Sequence, residues 1–176
     1  MKKILTRFHS PDSNYQDSSI ERFPIHVVIE DIRSLYNVGS IFRSSDAVRI
    51  SSLNLCGITG RPPRKEITKT ALGAQDTVPW NYFTDGVRAV RDLQSRGVTV
   101  FAVEHTDEGM PLWEAELPFP VAFVFGYEIE GVRQETLDAC NGAIEIPMFG
   151  YKGSLNVAVS CAVVLYEALR RFIELR

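Results

Sequence analysis

A chain of 176 residues that is 45% hydrophobic and 23% charged is one domain in size, large enough to bury a full core without disulfide or metal staples. Its formal net charge of −3 argues against strong, indiscriminate binding to nucleic acid while leaving room for a local basic surface. No apolar stretch approaches the roughly 18–20 residues of a membrane helix.

Taken in chain order, residues 1–22 are polar and read as a short helix or loose arm ahead of a single domain over 23–176. The opening Met1-Lys2-Lys3-Ile4-Leu5-Thr6-Arg7-Phe8 has basic residues but no apolar run, unlike a secretory signal, so a cytoplasmic protein is expected. Ile25 to Ile29 is a β-branched run and predicts a strand, followed by an exit loop and a helix from about Val38 to Val48. Leu53 to Cys56 is the next strand, and the Gly/Pro-rich Gly57 to Pro63 is a loop. Glu66 to Leu72 reads as a short helix ending at Gly73. Val78 to Phe83 predicts a strand, and Asp85 to Arg96 a helix stopped by Gly97. Val98 to Val103 and Val121 to Phe125 are near-continuous apolar runs, as buried parallel strands are. A helix near Arg133 to Ala139 and a strand from Ala143 to Ile146 lead to a long final helix, about Leu155 to Leu175, with Ser154 at its N-cap. Strands alternating with helices define an α/β domain, its sheet mostly parallel with helices on both faces.

The final helix is apolar almost all round between Val157 and Leu165, which calls for cover on more than one side. A second copy of the chain is the expected cover, so a homodimer is predicted. Cys56, Cys140 and Cys161 form no Cys-x-x-Cys pair and read as buried thiols. His9, His26 and His105 are scattered, and no metal is expected.

Common nucleotide signatures are absent: there is no Gly-x-Gly-x-x-Gly, no P-loop and no Gly-x-Ser-x-Gly elbow. Three other motifs each follow a predicted strand. Asn37-Val38-Gly39-Ser40-Ile41-Phe42-Arg43 opens a helix, whose free N–H groups suit an anion; six residues apart, Asn37 and Arg43 can share one side of it. The plainer alternative makes Asn37 an N-cap and Arg43 a surface charge. Gly126-Tyr127-Glu128-Ile129-Glu130-Gly131 has two glycines that let backbone approach a flat ligand, and two carboxylates. Ile146-Pro147-Met148, then Ser154-Leu155-Asn156-Val157, is a constrained loop with polar groups at the mouth of an apolar helix; simple capping explains Ser154 well and Asn156 poorly. Arg43, Arg49, Arg61, Arg64, Lys65 and Lys69 form a basic stretch that Arg7 and Arg22 extend, either a solvated face or an RNA surface.

In order and spacing these motifs resemble the SpoU-type, TrmH-like branch of the SPOUT RNA methyltransferases, over roughly residues 25–170, with Thr70-Ala71-Leu72-Gly73-Ala74 matching an intervening stretch. The resemblance implies methyl transfer from S-adenosylmethionine to a ribose 2′-hydroxyl of tRNA or rRNA, a C-terminal deep trefoil knot and a homodimer. It places the cofactor among Val103, Glu104, Gly126, Tyr127, Gly131, Ile146, Met148, Ser154 and Leu155. It makes Arg43, Asn37, Glu128, Ser154 and Asn156 the catalytic set, Arg43 reaching the partner's cofactor. RNA is expected on Arg43, Arg61, Arg64, Lys65 and Lys69, or through a partner protein, the chain being expected to lack the separate RNA-binding domain of many relatives. Tyr127 and Ile129 depart from the usual Gly-Asn-Glu-Gly form. The competing readings are a non-catalytic RNA-binding or assembly protein with this fold, and an unrelated nucleotide-dependent α/β enzyme.

Overall fold

The computed structural model describes residues 21–175. The arm expected over 1–22 therefore lies outside the described residues except for its last two, as do Arg7 and His9.

Seven strands form one sheet: β1 (Phe23–Glu30), β2 (Ile50–Cys56), β3 (Trp80–Phe83), β4 (Thr99–Val103), β5 (Met110–Pro111), β6 (Val121–Phe125) and β7 (Gly142–Glu145). Their order is β3-β2-β1-β6-β4-β7-β5, and every pairing is parallel. The helices are α1 (Leu35–Val48), α2 (Lys65–Ala71), α3 (Ala74–Thr77), α4 (Gly86–Ser95), α5 (Gln134–Ala139) and α6 (Val157–Glu174). Side chains alternate along a strand, so β1 sends Ile25, Val27 and Ile29 into a core shared with α1 and α6, and Val28 into one shared with Ala89, Val90 and Leu93 of α4. Burial on both faces is why β1 and β6 read as unbroken apolar runs. From β1 the chain builds β2 and β3 to one side, then crosses to build β4 to β7 on the other. The strand order reverses beside β1, which opens a crevice at the carboxyl ends of the strands.

Several local readings change. α1 begins at Leu35 and is capped by Ser34, whose Oγ accepts from the Asn37 N–H at 3.3 Å; Asn37 is not the cap, and its side chain is released for tertiary contacts. α6 is capped by Asn156, whose Oδ1 accepts from the N–H groups of Ala158 at 3.0 Å and Val159 at 3.4 Å, not by Ser154. α2 ends in a left-handed Leu72 (φ 52°) one residue before the expected glycine. The two-residue β5 and four-residue α3 are too short to leave a periodic signal.

α6 buries one face, Val157, Ala158, Cys161, Val164, Leu165 and Ala168, on its own core. The opposite row, Val159, Val163 and Tyr166, stands 49%, 40% and 55% exposed, so a single chain leaves that apolar row uncovered. The basic stretch also divides. Arg22 donates to the carbonyls of Ile50 (3.2 Å) and Thr77 (2.8 Å), and Arg49 is the left-handed residue closing α1. Both sit by the start of β2, at the opposite end of the sheet from Arg61 and Arg64.

Candidate active site

Glycine places two of the three motifs. A Cβ on Gly39 would lie 2.1 Å from Thr70 Oγ1 and 2.4 Å from the Ile67 carbonyl. Only a bare backbone lets α2 rest on α1 there, and Thr70 Oγ1 then donates to the Tyr36 carbonyl at 2.9 Å. In the second motif a Cβ on Gly126 would strike the Gly131 backbone at 2.1 Å. The turn is closed by the Gly131 N–H donating to the Tyr127 carbonyl at 2.7 Å, with Gly131 at φ 75°. Glu104, at the exit of β4, holds this turn in place: Oε2 accepts from the Val132 N–H (2.9 Å) and Oε1 from the His105 N–H (3.0 Å).

These exits enclose a cleft of about 700 Å³, within the range of small-molecule sites. Val103 and Glu104 reach it from β4; Gly126, Tyr127, Glu128 and Gly131 from β6; Ile146, Met148, Ser154 and Leu155 from the segment after β7. All nine residues assigned to the cofactor from the sequence thus line one space. Its apolar walls, including Phe125, Ile146, Leu155 and Val157, suit a flat ring, while Glu128 and Ser154 offer polar groups.

A line of hydrogen bonds ties the three motifs together beside the cleft. The two helix N–H groups bound by Asn156 Oδ1 leave its amide nitrogen facing outward, and this donates to Asn37 Oδ1 at 3.2 Å. With its oxygen engaged, Asn37 turns its own Nδ2 to Glu128 Oε1 at 2.6 Å. The cap of α6 therefore dictates which way each amide points, and the last acceptor is a carboxylate on the cleft wall.

Arg43 is not brought into this group. Six residues turn a helix through about 600°, leaving Arg43 about 120° around α1 from Asn37. It is exposed, does not line the cleft, and makes no ion pair among the described residues. Arg61 and Arg64 line a different cleft, while Lys65 and Lys69 follow on α2, with Lys69 Nζ 5.8 Å from the Tyr36 ring centre. Sequence reasoning missed two contacts. His105 Nδ1 lies 2.5 Å from Glu145 Oε2 at the mouth of the 700 Å³ cleft; the position of His105 directly after Glu104, at a strand exit, was the available signal. The Arg33 guanidinium covers the Tyr127 ring at 4.4 Å, a contact with no local pattern in the sequence.

The thiols take no part. All three are free, and burial pushes Cys140 up to about 12 and Cys56 and Cys161 upward as well, which suppresses the reactive thiolate. Cys140 is only half-buried.

A strand-exit cleft bounded by three motifs in this order defines a class. The SpoU rRNA Methylase family profile matches residues 24–166, and the chain belongs to that family. It is 32% identical over 148 residues to the 23S rRNA (guanosine-2′-O-)-methyltransferase RlmB of Vibrio cholerae serotype O1, covering 84% of this chain and 60% of the relative. It is 35% identical over 145 residues to the tRNA (guanosine(18)-2′-O)-methyltransferase of Thermus thermophilus, covering 82% of this chain and 74% of that one. Among solved structures, the AdoMet-bound rRNA methyltransferase from Sinorhizobium meliloti superposes with a TM-score of 0.78 at 26% identity, over 84% of this chain and 56% of the other. The chain thus spans about three-fifths of the length of the rRNA enzyme from Vibrio.

Proposed function

We propose that this chain transfers a methyl group from S-adenosylmethionine to a ribose 2′-hydroxyl of tRNA or rRNA, acting as a homodimer. The observation that carries this reading is the Glu128–Asn37–Asn156 line, which joins residues from three distant stretches at the rim of one cleft. The names of the Vibrio and Thermus relatives supply the reaction and the class of substrate, and the Sinorhizobium structure supplies the donor.

The residues present fit such a donor. The Gly126–Gly131 turn offers close backbone approach, the walls are apolar, and Glu128 and Ser154 stand beside them. Bound there, S-adenosylmethionine supplies an electrophilic methyl carbon. The chain's tasks are positioning, which supplies much of the rate in such a transfer, and help for a weakly acidic hydroxyl that loses its proton as it attacks. Arg43 takes the second task from the partner subunit. A guanidinium stays protonated in proteins, so its role is to clamp the target phosphate and stabilise the developing alkoxide rather than act as base. Asn37, Glu128, Ser154 and Asn156 orient the ribose and the loop after β7. The uncovered Val159, Val163 and Tyr166 row of α6 supports the dimer that this arrangement needs, and the crowding of the strand exits around 103–105, 126–131 and 146–155 supports a threaded, knotted crossing there.

The test is transfer of radiolabel from methyl-labelled S-adenosylmethionine to bulk tRNA and rRNA. A 2′-O-methyl group removes the nucleophile for alkaline cleavage, so label must appear in alkali-resistant dinucleotides. Label in base-modified mononucleotides, or none at all, would refute the reading.

A further inference from the structure

A second cleft, of about 830 Å³, opens at the exits of β1 and β2, beside β3, lined in part by Arg33, Ile58, Arg61, Arg64, Trp80 and Tyr82. Its lining holds three guanidinium groups and no carboxylate, and none of the three is in an ion pair among the described residues. The nearby Asp31 is already engaged, accepting from the Ile58 N–H at 2.9 Å and pairing with Arg133. Uncompensated positive charge in a cleft with Ile58, Trp80 and Tyr82 calls for a ligand that is both anionic and flat. Arg61 lies 4.0 Å over the Tyr82 ring, and the Tyr82 hydroxyl donates to the Gly57 carbonyl at 3.2 Å.

The cleft is built in advance. Gly57 adopts φ 62°, where a Cβ would strike Asp31 Oδ1 at 2.1 Å. Thr59 Oγ1 accepts from the Ile32 N–H at 3.1 Å, clamping the loop after β2 to the one after β1, and the rings of Pro62 and Pro63 fix its far side. Arg33 connects the two clefts: it lines this one and covers Tyr127, which lines the cleft assigned to the donor.

We propose that this cleft seats an unpaired nucleotide of the substrate RNA beside the one being methylated, its base against the Arg61–Tyr82 stack and its phosphates on Arg33 and Arg64. The inference rests on the RNA methyltransferase reading above and narrows its substrate to RNA whose target lies in a single-stranded loop. Bases in a duplex are stacked and paired and cannot enter a side pocket, whereas splayed loop bases stack on aromatic rings and guanidinium planes.

The test is fluorescence anisotropy with a labelled RNA hairpin and a fully paired duplex of the same composition, with donor affinity measured by calorimetry on the same preparations. Tyr82→Ala and Arg61→Ala should each weaken hairpin binding roughly tenfold and leave affinity for S-adenosylmethionine unchanged, while Tyr82→Phe keeps wild-type hairpin affinity. Arg64→Ala should lower the salt slope by about one, and Tyr82→Ala should not. Unchanged hairpin affinity in both alanine variants, or wild-type preference for the duplex, overturns the proposal. Complete competition by GMP at concentrations near the hairpin's Kd would make the cleft a free-nucleotide site and overturn it too. Wild-type protein that takes up no S-adenosylmethionine is a separate failure, that of the methyl-transfer reading, and the hairpin measurements decide the cleft in either case.

Discussion

Asn37 and Glu128 are 91 residues apart in sequence and 2.6 Å apart in space. The carboxylate accepts from the amide, whose orientation is inherited from Asn156 at the head of α6. A hydrogen bond to a charged acceptor contributes about 1.5–3 kcal/mol. Asn37→Asp replaces it with two carboxylates in contact, so kcat/KM for methyl transfer should fall at least roughly tenfold while the protein stays folded. Steady-state kinetics beside a thermal melt check this.

The outward row of α6 predicts the assembly. Val163 is 40% exposed, so Val163→Glu costs the single chain little and should give a monomer in sedimentation equilibrium that no longer methylates RNA. Subunit mixing locates Arg43. If it serves the partner's cleft, Arg43→Ala and Glu128→Ala proteins, each inactive alone, regain activity when mixed, because one intact site forms in the hybrid. If both groups act within one chain, the mixture stays inactive.

Gly39→Ala tests the packing reading of the first motif. The added methyl meets the Ile67 carbonyl at 2.4 Å and Thr70 Oγ1 at 2.1 Å, so α2 must shift. Overpacking of this kind costs about 1–3 kcal/mol, which should appear as a lower midpoint in denaturant unfolding.

His26 gives the fold a pH dependence. Burial lowers its pKa from 6.5 to about 4, and its Nδ1 lies 2.8 Å from Ser52 Oγ. Between those values the unfolded chain binds the proton and the native one does not. This contribution is therefore complete above pH 6.5 and is lost as pH falls toward 4, by on the order of 3 kcal/mol. His26→Gln should flatten the slope of unfolding free energy against pH in that window.

Much of the sheet was legible because both of its faces are covered: Val121–Phe125 stands where its unbroken apolar run placed it. The cleft was legible because its residues sit at strand exits, which pattern and turn chemistry locate. The division of labour inside the loops was not. Ser154 and Asn156 are both good caps, and only the path of the chain after β7 decides between them. Arg22 and Arg49 looked contiguous with Arg61 and Arg64, yet β2 carries the chain from one end of the sheet to the other between them. The Arg33–Tyr127 and His105–Glu145 contacts join residues from separate loops, which no local pattern encodes.

The measurement closest to the central claim is methyl transfer by Arg43→Ala protein alongside its affinity for S-adenosylmethionine. Turnover should fall by roughly a hundredfold or more, as when a transition-state charge stabiliser is removed, with the Kd for the donor near the wild-type value. Near-normal turnover by that variant would contradict an active site completed by residue 43.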